Sequence, residues 1–393
     1  MFSKNLIIIV FAQIFSFTVA PVTVLLSGII ASDMINIKYI ATLPAALTIV
    51  GTAFGSIVAS HLMSIKGRKF GFIISSLMNT FSALLAAYAI YFNYFLLFCI
   101  ANLFLGLGLA FTAQYRFAAA ESVEKKYIPK AISIILLSSL ISALIGPNFA
   151  TLSKDIIKDG LYVGSYLFLC ATTFVPFLLF IFFHEEKNEF EKKVLKGRSY
   201  IKLLSQPRFF QAVSSAAIGY VIMSFLMTAT PIEMNVIKKF NLNETSLVIQ
   251  MHIFGMFLPS LFTGKLIEKF GHSKIMYSGV LILIICIFIN FSFQHFYNYL
   301  FGLIFLGVGW NFLFISGTSL LMISYKKEEK FKAQGFNDFL VFTTQASGAL
   351  AAGYLLYLTN WKFINILCLP LLLVVIFATL YADKLKKQNL KNI

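Results

Sequence analysis

One histidine lies far from both ends of an apolar run. His252 stands eight residues beyond Glu244, where that run begins, and on a helix this is about 12 Å of rise. An ionisable group held deep among apolar residues is a functional candidate by default. Its imidazole, ordinarily titrating near neutrality, suits a coupling proton or a hydrogen bond to a ligand while neutral; a packed, satisfied histidine is the plain alternative. Trp310 and Asn311 form a second candidate pair, because a buried indole N–H and a buried amide both demand partners. They read as ligand contacts, with helix–helix hydrogen bonding as the alternative for Asn311. Polar residues at helical spacing add stripes: Tyr220, Ser224 and Thr228; Gln334, Asp338 and Gln345; and Gln13 and Gln250 singly. Stripes of this kind face a cavity or tie helices together.

What is missing narrows the chemistry. His61, His184, His252, His272 and His295 are scattered singly, so a membrane-embedded transferase lacks its cluster of acids and bases, and no catalytic residue is expected. Cys99, Cys170, Cys286 and Cys368 show no CxxC spacing and read as small apolar packing residues, with no metal site. No GxxxxGK[ST] occurs, so neither nucleotide nor other cofactor is expected. No Lys or Arg lies deep in an apolar run, which disfavours a multiply charged ligand, since that would need a buried cation to offset it.

The elements that hold these residues are apolar and long. The 393 residues are 59% apolar and only 12% charged, with a mean hydropathy of +0.84; a soluble domain carries roughly 25% charged residues. Twelve segments are long enough to cross a bilayer as helices: 5–31, 38–61, 70–92, 94–115, 131–153, 161–183, 208–232, 244–264, 275–294, 297–323, 335–358 and 361–381. The first is too long for the core of a signal peptide and reads as retained. The net charge is +16, but the basic residues fall in short clusters between the runs, which points to membrane topology rather than nucleic acid. With the N-terminus inside, the inner segments hold 26 Lys and Arg against 6 outside, so both termini are expected in the cytoplasm of a multi-pass protein of the cytoplasmic (inner) membrane. The polar stretch 184–207 separates an N-terminal bundle, 1–183, from a C-terminal bundle with a short tail, 208–393.

The bundles repeat one another. FLGLGLAF from Phe104 to Phe111 matches FLGVGWNF from Phe305 to Phe312 at offset 201. Gly51 and Gly55 correspond to Gly255 and Pro259 at offset 204, and the loop around Gly67 corresponds to that around Gly271 at the same offset. The glycines give small-residue faces for close helix packing, or for a sliding contact. Two parallel six-helix repeats suit a carrier that rocks about a central site.

On these residues the chain resembles the major facilitator superfamily over essentially its whole length. The family's loop signature, G-x-L-x-D-+-x-G-+-+, is matched by Leu62, Gly67, Arg68 and Lys69, with Ser60 and Ser64 in place of its glycine and acid. The second copy keeps Gly264, Leu266, Glu268, Lys269 and Gly271, and Gly146-Pro147 match the Gly-Pro motif of the fifth helix. The resemblance implies an all-α membrane protein, twelve transmembrane helices in two pseudo-symmetric six-helix bundles, working as a secondary transporter by alternating access. A loop latch is implied at Arg68 and Lys69, for which Glu121 and Asp338 are acid candidates; Asp338, read at the first turn of span eleven, also suits a helix N-terminus. Arg116 is a gate, an anion site or a snorkelling interfacial residue. The expected cargo is a small neutral or weakly charged organic solute, with the proton as candidate coupling ion and the carrier expected as a monomer. Efflux of an amphipathic compound and uptake of a flat-ringed vitamin, riboflavin for example, both fit.

Overall fold

The computed structural model describes residues 3–124, 128–184, 198–326 and 329–391. No strand occurs among them. Eleven helical stretches are long and apolar enough to cross a membrane, and a shorter one, Leu137–Leu152, lies within α7 (Ile128–Leu152). Together they make the twelve expected crossings.

Several crossings are broken, and prolines place two of the breaks. Span one is α1 (Lys4–Ser16) followed by α2 (Val19–Met34). Pro21 has no N–H to bond the carbonyl of Phe17, and its ring would clash there in a continuous helix; the Phe17 carbonyl instead accepts from Ala20 N at 3.2 Å. Span eight is α11 (Leu242–Phe257) and α12 (Ser260–Phe270), parted at Leu258 and Pro259, where the proline has no N–H to bond the carbonyl of Gly255. Span two is a 3₁₀ turn, Lys38–Ile40, leading into α3 (Leu43–Lys66). Span four is α5 (Phe95–Thr112) and α6 (Tyr115–Glu121). Spans three and six are α4 (Arg68–Tyr91) and α8 (Val163–Ile181). After the short α9 (Tyr200–Leu204), span seven is α10 (Pro207–Pro231), which continues into a π-helical turn, Ile232–Ile237. Spans nine to eleven are α13 (His272–Ser292), α14 (Phe296–Met322) and α15 (Lys330–Leu358). Span twelve is α16 (Trp361–Ile366) and α17 (Cys368–Lys391). Helices overrun the apolar runs where polar residues continue the spiral, as at 330–334 and 382–391.

The sequence repeat is also a contact repeat. A Cβ on Gly106 would lie 1.9 Å from the Thr48 carbonyl oxygen, and one on Gly307 would lie 2.5 Å from that of His252. A Cβ on Gly51 would meet the Leu103 oxygen at 2.1 Å, and one on Gly255 the Ile304 oxygen at 2.6 Å. Each pair is the same contact, moved by the offsets seen in the sequence. Gly55 likewise packs on Leu107 and Ala110 of α5, and Gly146 of α7 packs on Pro21 and Val22 of α2. Gly67 and Gly271 turn the chain between successive crossings with φ of 85° and 82°, a backbone that L side chains rarely adopt. These turns mark one end of the bundle, called the basic end below; the opposite one is the far end.

Gly106→Val would force backbone from backbone between α3 and α5. It should cost about 1–3 kcal/mol or more and lower the melting temperature of the detergent-solubilised protein. Gly264→Val, where a Cβ meets nothing within 4 Å, should leave that temperature nearly unchanged.

Candidate functional site

A chain of aromatic rings crosses the middle of the bundle. Trp310 and Phe314, one turn apart on α14, stack with centroids 4.9 Å apart and planes at 17°. Tyr220 of α10 sets its edge on both, at 5.1 Å from each, and Phe342 of α15 lies 6.1 Å from Tyr220. Phe257, the last residue of α11, is 6.2 Å from Trp310 and 5.8 Å from Phe17 of the first half. Both Phe17 and Phe257 sit at the proline-linked breaks. The rings therefore come from spans one, seven, eight, ten and eleven and bridge the halves. Edge-to-face and offset contacts of this kind accept a further flat ring on the same terms.

The polar atoms beside these rings are short of partners. The indole N–H of Trp310 and the hydroxyl of Ser224 are buried with no hydrogen bond. Native interiors rarely leave such groups unmet, and a bound solute would meet them. Thr228 is buried one turn beyond Ser224 and Gln345 is half-buried on α15.

Other residues singled out in the sequence tie helices together. Asn311 uses its whole amide: Nδ2 donates to the Met256 carbonyl and to Ser260 Oγ, both at 2.7 Å, and Oδ1 accepts from Thr263 at 2.7 Å. These bonds fit the packing alternative, and they use both N–H donors and one of the two lone pairs of Oδ1. His252 holds the Leu303 carbonyl through Nδ1 at 2.8 Å. Its repeat counterpart, Thr48, bonds Asn102 Oδ1 at 3.3 Å, so both join span two or eight to span four or ten. Gln13 donates to Ser139 at 3.0 Å, while its Oε1 stays unpaired. Gln250 joins Asn148 across the halves at 3.1 Å.

The seam between the halves closes tightly at the far end. Gly353 N donates to Thr42 Oγ1 at 3.0 Å, Tyr39 meets Tyr354 edge-on at 6.2 Å, and Ile232 packs on Gly28. At the basic end Arg116 of α6 faces Asp338 of α15 at 3.9 Å, with both side chains about a third exposed (30% and 36%). The structure thus pairs two of the latch candidates with each other. α15 begins at Lys330, eight residues ahead of Asp338, so Asp338 is not in a first turn and the helix-terminus argument does not hold. Lys69 donates to the Ile181 carbonyl at 2.7 Å, capping the end of α8 within its own half. Arg68 borders Gly67 at the start of α4, and Glu268 is exposed on α12. The side chains of Ser60, Ser64, Glu121 and Gln334 lie outside the described residues.

A bidentate clamp holds the end of the central loop at the basic end. Arg198 donates through Nε and Nη2 to the two oxygens of Glu329, at 2.8 and 2.7 Å, and through its backbone N at 2.9 Å. Lys326 N adds a fourth donor at 3.0 Å. These bonds hold the Glu329 carboxyl well below the usual carboxylate range. The sign follows: the folded state favours the ionised form, so the clamp stabilises above the unfolded carboxylate value of about 4.3 and fades as pH falls below it. Glu329→Gln should lower the melting temperature at pH 7, and the gap to the parent protein should shrink toward roughly pH 3.

Comparison with known proteins agrees with this geometry. A model of the Major Facilitator Superfamily matches residues 6–340, and again 212–392. The chain is 32% identical over 378 residues to the riboflavin transporter RfnT of Brucella anthropi, covering 95% of this chain and 94% of that protein. It is 27% identical over 385 residues to the uncharacterized MFS-type transporter YddS of Bacillus subtilis, covering 93% and 88%. Its fold is similar to the partially occluded inward-open conformation of the xylose transporter XylE from E. coli, at a TM-score of 0.71, with 14% identity and 97% and 98% of the two chains covered. Duplicated helices, a ring-lined middle and matches along the whole length converge: this chain is a transporter belonging to the major facilitator superfamily.

Proposed function

We propose that this transporter takes up a flat heteroaromatic nutrient of the riboflavin type across the cytoplasmic membrane, as a monomer with both termini inside. The observation that carries the reading is the ring cluster of Phe17, Tyr220, Phe257, Trp310 and Phe314, with the unpartnered Trp310 N–H and Ser224 hydroxyl beside it. Flat apolar faces with a few convergent donors bind a planar ring that carries carbonyl or ring-nitrogen acceptors. The likeness to a riboflavin transporter supports the same substrate class. With the basic end inside, the sealed far end is the outer gate, so the site faces inward, and Arg116–Asp338 is the inner gate that must tighten when the outer one opens. The two halves 1–183 and 208–393 are the rocking units, joined by 184–207.

A riboflavin-auxotrophic host expressing this chain should grow on low riboflavin and show saturable uptake; absence of both would sink the substrate class. Trp310→Ala should weaken apparent affinity roughly 2- to 12-fold, since one aromatic contact is worth about 0.5–1.5 kcal/mol, without lowering protein abundance.

His252 is the proposed proton carrier: Nδ1 is fixed on Leu303, and Nε2 is left for a proton. His252→Gln should abolish stimulation of uptake by a pH gradient while leaving substrate exchange intact. Loss of protein abundance together with both activities would instead make it a helix tie like Thr48.

A further inference from the structure

Glu233 has no part in the ring-lined site. It lies at the far end, 3% exposed, as the second residue of the π-helical turn. The Tyr299 hydroxyl donates to its Oε1 at 3.0 Å, and the Tyr299 ring is held by Trp361 at 5.5 Å and Phe240 at 5.8 Å. A cavity of about 340 Å³, lined by Glu233, Lys238, Gln294, Tyr357, Asn360 and Trp361, leads from the carboxyl to the surface, where Lys238 and Asn360 are exposed. A buried donor on its wall, the Trp361 indole N–H, has no partner. The residue before Glu233, Ile232, is the one that fills the seam against Gly28 of α2, 3.1 Å from where a Cβ would stand. Tyr357 faces both Glu233 and Ser32 of α2.

We propose that Glu233 is a proton-binding site of the outer gate, loaded from the solution at the far end through this cavity as that end closes and unloaded as it opens. The proton passes from external water to a carboxylate oxygen and returns to the same solution, so this step regulates the gate and adds no proton to the transport cycle. A carboxyl with little water around it is carried at lower cost neutral than ionised, and in the sealed end Glu233 is 3% exposed and meets solvent only through the cavity. Movement of the π-helical turn withdraws Ile232 from Gly28 and hydrates the acid. The sealed state therefore binds the proton more tightly, and acid at the far end favours sealing while alkali favours opening.

The groups that face Glu233 leave it as the titrating one. Tyr299 from α14 and Tyr357 from α15 are phenols, ordinarily titrating near 10. Lys238, on its own turn, is exposed and makes no ion pair with it among the described residues. From α2, Asp33 faces Lys38 and Lys239 instead. His295, next to the cavity-lining Gln294, is exposed and stacked on Phe293 at 6.1 Å.

The inference rests on alternating access but not on the substrate, and its test uses none. Thr42 is buried at the seam, so Thr42→Cys reports opening of the far end to an impermeant maleimide; Cys99, Cys286 and Cys368 are buried and Cys170 half-buried, and the parent without Thr42→Cys sets the background. In whole cells the labelling rate, divided at each pH by that of a free model thiol to remove the titration of the thiol itself, should rise across roughly pH 5 to 8, by at most about tenfold per pH unit for a single proton. Adding Glu233→Gln should make it low and flat. Tyr299→Phe, which removes a donor to the ionised carboxyl, should move the midpoint upward, and His295→Gln should leave the profile in place. An unchanged pH profile with Glu233→Gln, an unmoved midpoint with Tyr299→Phe, or no labelling of the parent Thr42→Cys protein at any pH overturns the proposal. Should Glu233→Gln fail to reach the membrane, Glu233→Asp decides: the rise must persist with a shifted midpoint, and an identical midpoint overturns it. A carrier that refuses riboflavin yet shows this titration would lose its proposed substrate and keep its proton site.

Discussion

Lipid tails are as apolar as leucine, so two helices that meet inside a bilayer gain little by covering each other's side chains. They must gain from close contact, and here the contact is backbone on backbone. Gly106 lies against the Thr48 carbonyl and Gly307 against that of His252, in each case with no room for a methyl group. The partners are spans two and four in one half and spans eight and ten in the other. A joint without side chains cannot slide by changing rotamers. Each pair therefore moves as one body, and motion is left to the seam. There the contacts are of another kind: rings at Tyr39 and Tyr354, one hydroxyl bond at Thr42, and one long ion pair at Arg116 and Asp338. These are weak, separable interactions, and they are where a carrier has to come apart.

The duplication also shows where function was added. In the first half, Ser27 donates to Asn102 and bonds Tyr166, both at 3.0 Å, and Thr48 joins the same amide. That polarity is consumed within the bundle. In the second half the position of Asn102 is Leu303, that of Thr48 is His252, and that of Leu109 is Trp310. Polarity there ends in atoms without partners, the Trp310 N–H and His252 Nε2. A buried donor with no acceptor is costly, and the Trp310 N–H is kept within the ring cluster, where a bound acceptor would meet it. The substrate is thus expected to lie nearer the second half than the first.

Much of this was legible before any coordinates. The number of crossings follows from hydrocarbon thickness, and the repeat follows from glycine spacing, because only glycine allows the approach that the repeat conserves. Helix ends were less legible: α15 starts at Lys330 and not at 335, since the spiral continues through polar residues once outside the lipid, and Asp338 lost its terminus for that reason. Asn311 broke the repeat and so stood out, but sequence cannot say that Ser260, Thr263 and the Met256 carbonyl surround it. Phe17, Phe257, Phe314 and Phe342 were hidden among 44 phenylalanines, most of which read as lipid-facing. For Phe17 and Phe257 the signal was Pro21 and Pro259 inside otherwise apolar runs; Phe314 and Phe342 had none. Glu233 was not legible as a site, because its burial depends on Tyr299, Trp361 and Tyr357 from three later helices.

Those two prolines connect the site to the motion. Each interrupts a crossing in mid-membrane, and each places a phenylalanine at the interruption. The first break can bend at low cost, because the bond that would resist is exchanged at Phe17, whose carbonyl takes Ala20 as its donor, whereas Asn311 ties both sides of the second to α14. Bending at Pro21 would shift the Phe17 ring against Phe257 and leave the glycine-packed pairs intact. The two rings meet at 5.8 Å across the seam, so the element that lines the site and the element that yields are the same residues. A flat solute that stacks on Trp310 and Tyr220 must lie against Phe257, and through it bears on both breaks. If the proposed site holds, binding energy at the ring cluster would bias the angle between the halves, which is what coupling of occupancy to access requires.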